Sequence, residues 1–569
     1  MNPIQENEPA RERLSADVVV IGAGIAGGLM AYELARQKRK VLILEAGPDI
    51  DRTEAVRRFR SEPVKRANSP YEMAHYAPYP SDETPWTFYG QQGPKAGDSP
   101  RVQAPFQGLY IRGVGGASWH FTGHAERFQI NDFRMKSVYG VGQDWPVSYA
   151  ELEPFYHRAE AAWGVAGGPD TIAPPRSTPY PMPPVPISWL DRSIARAAEP
   201  LGWGVGGYPH ARVSLPEGYD GRPQCCGNAS CRFICPIGAK YDGSVHVHKA
   251  VQAGADLKHG RVVYNVEIGT DGRIKAVQYR LSDGGWGEAR GKLFILAAHA
   301  IETPKLLLMS TNQRARGVAN SSNLVGRNLM CNVDADTMGY APQPVWPFRG
   351  PVSATGGVTG LRDGAFRSQR AAAATFIVNG GFDMTQGPMK EAMQALHEGT
   401  IGSALSERVR ENTARQVHLS SSIEVLPDER NGVVPDLSRR DSLGIPLPQV
   451  DFRVDEYSIA GWKAAAERDR DILRNMGARD ITSPLDCMGK DGPDNTQLTV
   501  DYAILGGTAV MGENPKTSVV NSYCQSHDHG NLFIVGTSAY PTISICSPSL
   551  TLAALALRAT DHIVATSLA

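Results

Sequence analysis

The sequence carries no excess of charge of either sign: 58 Lys and Arg stand against 59 Asp and Glu in 569 residues, a formal net charge of −1. That balance removes the electrostatic case for nucleic acid or an anionic membrane surface as a partner, so any partner must be recognised locally. Long apolar runs are missing too. The most apolar stretches, VVVIGAGIAGGLMA (18–31) and TLAALALRA (551–559), fall short of the ~20 residues a bilayer crossing needs, and no direct membrane span is expected. The opening MNPIQENEPARERLSADVVV has neither an apolar core nor a twin arginine, so the chain is expected to carry no export signal of its own. Cysteine is scarce at eight residues, which excludes a small disulfide-stapled scaffold. Four of those eight, however, crowd into CCGNASCRFICPIGAK (225–240), at Cys225, Cys226, Cys231 and Cys235. Spacings this close suit metal ligation better than stapling. A zinc knuckle, a vicinal Cys225–Cys226 disulfide and four inert thiols are the other readings of the same residues.

The N-terminus is the most legible segment present. Residues 17–21 (DVVVI) read as a buried strand, Gly22-Ala-Gly24-Ile-Ala-Gly27 turns into an amphipathic helix, and VLILEAG (41–47) supplies a second strand reaching Glu45. Gly22 permits the tight turn, Gly24 lets a pyrophosphate approach the helix N-terminus, and Gly27 lets helix and strand pack closely. Glu45 is placed to accept hydrogen bonds from a ribose, which completes a dinucleotide site. Further along, RQVHLSSSIEVLP (415–427) and PQVDFRV (448–454) alternate as strands of an antiparallel sheet do, and YSIAGWKAAAERDRDILRNMG (457–477) has helical periodicity. The proline-rich TIAPPRSTPYPMPPVPIS (171–188) reads as an extended surface connection, and no internal repeat is present.

Four further motifs are specific: RGVGGASWHFTGHAERF (112–128), DWPVSYAELEPFYHRAEAAWGV (144–165), LAAHAIETPKLLL (296–308) and NLFIVGTSAYPT (531–542) with an apolar helix behind it. On these, and over essentially its whole length, the chain resembles the glucose-methanol-choline (GMC) FAD-dependent oxidoreductases, and among them the iron-sulfur-containing large subunits of bacterial fructose, gluconate, glucose and sorbitol dehydrogenases. The resemblance implies an α/β fold: a discontinuous Rossmann-like FAD-binding domain (15–60, 105–125, 245–330 and 500–569), a cysteine-rich loop (210–245), and an α+β substrate-binding domain with an antiparallel sheet (335–500 with parts of 61–210). It also implies that Gly113, Gly115, Gly116, His120, Ala298 and Gly536 join the cofactor site. His120 stands where some members bond FAD covalently and others keep the histidine without a bond, and both remain open.

The same resemblance implies an iron-sulfur cluster of the three-iron (3Fe-4S) type, its ligands falling on Cys225 or Cys226, Cys231 and Cys235. Soft thiolates suit iron, and a flavin beside such a cluster lets two electrons taken together leave one at a time, the arrangement of a dehydrogenase using an acceptor other than NAD or oxygen. Related enzymes work with a small signal-bearing subunit and a cytochrome c subunit at the periplasmic face of the inner membrane; a cytoplasmic enzyme fits this sequence equally.

The catalytic positions depart from the family. Alcohol oxidation needs a base for the hydroxyl proton, which the family supplies from a histidine in HxxGT and a later His or Asn. Here DYAILGGTAVMG (501–512) puts Ile504 in the first slot, and SICSPSLT (544–551) puts Ser547 in the second. Isoleucine carries no proton, and serine is a weak acid-base group unless another base activates it. Asp501, Tyr502 and His529 are the candidate replacements, although HDHGNLF (527–533) also reads as structural. VGRNLMCNVDADT (325–337) likewise has Cys331 and Asn332 where related dehydrogenases carry an acid and a histidine. The expected substrate is a sugar, polyol or glycoside. A desaturase, an amine-oxidising enzyme and a non-catalytic electron-relay subunit are the alternatives.

Overall fold

A computed structural model describes residues 10–62, 110–169, 173–227, 231–351, 355–379, 387–482 and 504–566, together with the backbone of three strand segments at 85–89, 102–105 and 499–503. Three sheets organise the described residues.

The first sheet grows from the N-terminal strand Glu12–Ile21. Its last four residues are buried, so VVVI is apolar on both faces, as a strand covered by helices on both sides must be. Val41–Leu44 pairs with it in parallel on one side and Trp286–Leu296 on the other. Asp256–Lys258 extends one edge in parallel, and Leu532–Ile534 pairs in parallel with Phe294–Leu296. The long strand Trp286–Leu296 also pairs antiparallel with Ile274–Leu281, which pairs with Arg261–Ile268. All the parallel strands therefore end at one edge, which carries Gly22, Glu45, Ala297 and Gly536. Helices Ile25–Arg36 and Ser549–Thr566 pack on this sheet with a largely apolar core between them.

The second sheet is antiparallel, as the alternating residues 415–427 lead one to expect. Its order is Arg479–Asp480, Met330–Tyr340, Gln416–Ile423, Ala373–Ile377, Gly356–Val358, Val205–Gly207. Helix Glu456–Asn475 lies across it, and Trp462 donates to the carbonyl of Asp334 at 3.0 Å. Strand Thr499–Gly506 also joins this sheet, pairing with Met330–Asp334. The chain thus returns to the first sheet only after Gly506, some residues later than residue 500. A third sheet of four strands contains Gly432–Arg440, Pro446–Arg453, Pro85–Tyr89 and Val102–Pro105.

A buried guanidinium connects the two halves. Arg367, fully buried, meets Asp132 at 2.9 Å, Glu424 at 2.7 Å and Asp363 at 3.1 Å. Glu424 also accepts from the Ala372 N–H and the Tyr457 hydroxyl, each at 3.0 Å. Removing one partner from such a network strands the other charges without solvent. Arg367→Met is expected to lower the free energy of unfolding by about 3–5 kcal/mol in a urea titration. A loss within ~0.5 kcal/mol, the range of ordinary surface substitutions, would contradict this role.

Candidate active site and cofactor cradle

The glycines at the end of the first strand divide their work as the sequence suggests. Gly22 has φ +101°, and a Cβ there would lie 2.4 Å from the Ala297 carbonyl oxygen and 3.4 Å from the Ala298 Cα. A Cβ at Gly27 would fall 1.9 Å from the Gly22 oxygen. Both positions are closed by backbone. Gly24 is different: a Cβ there would meet no atom within 4 Å, and no side chain caps the helix it precedes. Nothing inside the protein demands glycine at 24. Helix N–H groups facing open space beside a residue without a side chain form a cradle suited to a pyrophosphate.

The second glycine-rich run closes over this cradle. The Gly115 N–H donates to the Ala23 carbonyl at 2.8 Å, and Gly115 and Gly116 have φ values of +100° and +57°. A Cβ on Gly47 would lie 2.5 Å from the Gly113 nitrogen, so the two loops touch through backbone. Glu45 is buried between them, its Oε2 accepting from the Ala23 N–H at 2.8 Å and its Oε1 from the Gly47 N–H at 2.9 Å. Burial raises its pKa, against the pull of these N–H groups. The Gly113 N–H is a third backbone donor to this carboxylate, whose four lone-pair sites still leave room for a ribose hydroxyl. Gly536 follows strand Leu532–Ile534 in extended conformation, φ −174°, and leads into the turn Thr537–Ala539. The residues present therefore fit FAD.

The flavin loop is clasped to the cysteine loop. His120 is buried, with Nδ1 2.9 Å from the Arg232 carbonyl oxygen, which makes Nδ1 the protonated nitrogen. Burial pushes its pKa down to about 3, so the ring is neutral. Lys240, also buried, donates from Nζ to the carbonyls of Trp119 at 2.8 Å, Phe121 at 2.7 Å and Ser118 at 3.3 Å. Burial lowers it to about 8, the thiols of Cys235 and Cys231 acting in the opposite sense, so it remains charged at neutral pH. Arg52 stacks over the Trp119 ring, donates to the Cys235 carbonyl at 3.0 Å and pairs with Asp242 at 2.5 Å.

Cys231 and Cys235 are buried, Cys225 is half-buried and Cys226 is exposed. None of the four is disulfide-bonded, so the vicinal Cys225–Cys226 bridge is not formed. Burial raises the Cys225 pKa, and the nearby Cys231 and Cys235 thiols raise it further, so these three share one neighbourhood. Among the described residues, no three His, Cys, Asp or Glu side chains close round a single point as one metal ion requires. A cluster is held differently, by thiolates that reach round several iron atoms, and the donor set of Cys225, Cys231 and Cys235 fits that chemistry.

The segments that carry Ile504 and Ser547 are joined through Asn332. Cys331 pairs with Leu505 and Val333 with Val500, so residues 501–504 bulge opposite the single residue Asn332. Bulges of this kind re-aim side chains beside active sites. Ile504 packs half-buried on the core. Asn332, fully buried, donates to the Ser544 carbonyl at 3.3 Å and to Ser422 Oγ at 3.1 Å, joining the bulge to the segment that carries Ser547. Ser547 is half-buried, and its N–H donates to Glu126 at 3.4 Å. Ser544 Oγ donates to Asp132 at 2.7 Å, and Arg362 reaches Cys546 Sγ at 2.9 Å. Asp501 and Tyr502 lie in the bulge, but their side chains fall outside the described residues.

His529 requires a correction. It precedes strand Leu532–Ile534, so it sits at the opposite end of the parallel strands from Gly22 and Gly536. Its Nδ1 lies 2.7 Å from the Gly272 carbonyl, in the turn joining two antiparallel strands of the sheet. A side chain committed there cannot serve the site at Ser547. His527, bonded to Ser518 and the Gly512 carbonyl, is likewise structural. Conversely, Lys240, Glu126, Arg362 and Asp132 were not singled out from sequence, because a charged residue in a mixed segment gives no sign of being buried. The only available hint was the position of Lys240, a few residues past the last clustered cysteine.

Comparison with known proteins agrees with this geometry. The chain is 39% identical to the fructose dehydrogenase large subunit of Gluconobacter japonicus, over 98% of this chain and 99% of that one. It belongs to the GMC oxidoreductase family. The family's profiles, described as GMC oxidoreductase, match residues 185–333 and 427–556, and one described as FAD dependent oxidoreductase matches 17–58. This GMC oxidoreductase is also 28% identical to 2-methyl-1,2-propanediol dehydrogenase of Mycolicibacterium austroafricanum, over 96% of this chain and 95% of that one. Against the gluconate 2-dehydrogenase flavoprotein of Pantoea cypripedii the identity is 25%, over 94% and 91%. The solved structure of pyridoxine 4-oxidase from Mesorbium loti shares the fold, with a TM-score of 0.63 at 18% identity, over 97% of this chain and 99% of that one.

Gly24→Val tests the cradle. The Gly24 backbone, φ −83° and ψ −162°, is one that valine adopts, and there is space for the side chain, so the variant should fold. It should purify without its yellow flavin. A full complement of FAD in the folded variant would place the pyrophosphate elsewhere.

Proposed function

We propose that this GMC oxidoreductase is a dehydrogenase that oxidises a CH–OH group of a sugar, polyol or glycoside and sends the electrons through an iron-sulfur cluster to an external acceptor. The observation that carries the reading is the clasp between the flavin loop and the cysteine loop, through His120 to Arg232 and through Lys240 to three carbonyls. It brings His120, on which a flavin would lie, against Arg232, the residue that follows Cys231. FAD, when bound, accepts the substrate's hydride; a cluster on Cys225, Cys231 and Cys235 takes electrons singly. Supporting the substrate class, the buried groups around the Ser547 segment are polar: Asn332, Ser422, Glu126, Asp132 and Arg362. Relatives named for fructose, gluconate and 2-methyl-1,2-propanediol have hydroxylated substrates in common.

In this reading Ser547 orients the substrate hydroxyl, and Asp501 or Tyr502, presented by the bulge, takes its proton. Ile504 keeps water from that side. Covalent attachment of FAD to His120 is the one feature of the cofactor this reading leaves open. In this reading the chain acts with a small signal-bearing subunit and a cytochrome c subunit at the periplasmic face of the inner membrane, with a cytoplasmic enzyme as the alternative. No helix among the described residues is long and apolar enough to cross a membrane.

The experiment is anaerobic mixing of the flavoprotein with sugars, polyols, aminosugars and glycosides while the flavin band is followed. A hydroxylated donor should bleach it. Bleaching by amines or saturated carbon chains alone would favour the amine-oxidising or desaturase reading, and cluster signals without bleaching by any donor would favour a relay subunit. In the same assay Cys231→Ser should keep FAD and its bleaching but slow reduction of cytochrome c, and unimpaired cytochrome reduction without iron would defeat the exit route.

Asp501→Asn and Tyr502→Phe address the base. One of them should lower the rate of flavin reduction by ~10²–10⁴-fold, the usual contribution of a general base, with FAD retained. Near-parental rates in both would remove the recruited-base idea.

A further inference from the structure

We propose that Lys240 is a positioning residue of the electron-exit site, whose fixed positive charge holds up the reduction potential of the cluster on Cys225, Cys231 and Cys235. The inference rests on the iron-sulfur reading above and adds to it the group that sets how readily the cluster accepts an electron.

The charge cannot swing away. An ammonium has three N–H donors, and Lys240 has three carbonyl partners, those of Ser118, Trp119 and Phe121. From its backbone, the same residue donates its N–H to Cys235 Sγ at 3.5 Å. The residue thus combines a buried ammonium, fixed on the flavin loop's carbonyls, with a backbone N–H fixed on the Cys235 sulfur.

The surrounding charges do not cancel it. Arg212, also fully buried, acts on both Lys240 and Cys225. Asp242, the carboxylate that bears most on Lys240, is engaged by Arg52 at 2.5 Å. Lys240, Arg212 and Arg52 thus bring three cations to this joint, with Asp242 set against them. In a low-dielectric interior a nearby positive charge stabilises an added electron far more than it would in water. Charge and hydrogen bonds to sulfur are the levers by which a protein moves a cluster's potential, and both act in the same direction here.

The electron step balances simply. The substrate's CH–OH would lose a hydride and a proton; FAD, when bound, would take the hydride, whose two electrons would leave singly through the cluster to two one-electron carriers of the cytochrome class while its proton goes to solvent. A higher cluster potential makes the transfer from flavin to cluster downhill.

The test is a redox titration of the purified holoenzyme, read by the electron paramagnetic resonance of the cluster, with iron and FAD content measured alongside. Lys240→Gln keeps hydrogen-bond donors and removes the charge; Lys240→Arg keeps the charge. At a fixed potential near the midpoint, the reduced-to-oxidised ratio of the cluster should fall about tenfold in Lys240→Gln, a shift of about 59 mV for one electron, and stay near parental in Lys240→Arg. An unchanged midpoint in iron-loaded Lys240→Gln overturns the proposal while leaving the iron-sulfur reading standing. Loss of iron from both variants makes Lys240 a strut and overturns it too. A parent protein without iron ends the iron-sulfur reading and this inference together.

Discussion

The arrangement of the site depends on a buried ammonium satisfied by three main-chain carbonyls. Lys240 is on the cysteine loop and its acceptors are on the flavin loop, so neither loop can move without stranding a charge in the interior. His120, neutral and bonded to the Arg232 carbonyl, closes the same joint from the other side. Arg52 seals it by holding the Cys235 carbonyl, Asp242 and the Trp119 ring together. The cofactor cradle inherits its rigidity from this joint, because residues 115–121 are both the roof of the cradle and the acceptors of the clasp.

A second constraint shapes the substrate side. The segment carrying Ser547 is held by Asp132, Glu126 and Asn332, all buried, which reach it from two parts of the chain, 126–132 and 332. Asp132 belongs to the Arg367 network that also includes Glu424 of the substrate half. Charge pairing in the interior thus sets the position of the segment that carries Ser547.

Much of the fold could be read in advance because it rests on local pattern. An apolar strand, spaced glycines and an acid after the next strand specify a nucleotide-binding unit wherever they occur, since each glycine answers a steric demand of that unit. The alternating residues 415–427 likewise announce an antiparallel strand. His529 was misread for the opposite reason: its motif lies close in sequence to the catalytic segments, but a parallel strand separates it from them in space.

By itself, the sequence determined a nucleotide-binding unit at its N-terminal glycines, because that follows from residue type and spacing, and its longer motifs carried the resemblance to the GMC oxidoreductases to which the chain belongs. Tertiary structure alone decided that Lys240 spans from the flavin loop to the thiols, that residues 501–504 bulge opposite Asn332, and that Cys226 is exposed while Cys225, Cys231 and Cys235 gather. Burial, strand register and the pairing of charges far apart in sequence are properties of the packed chain, and no local pattern encodes them.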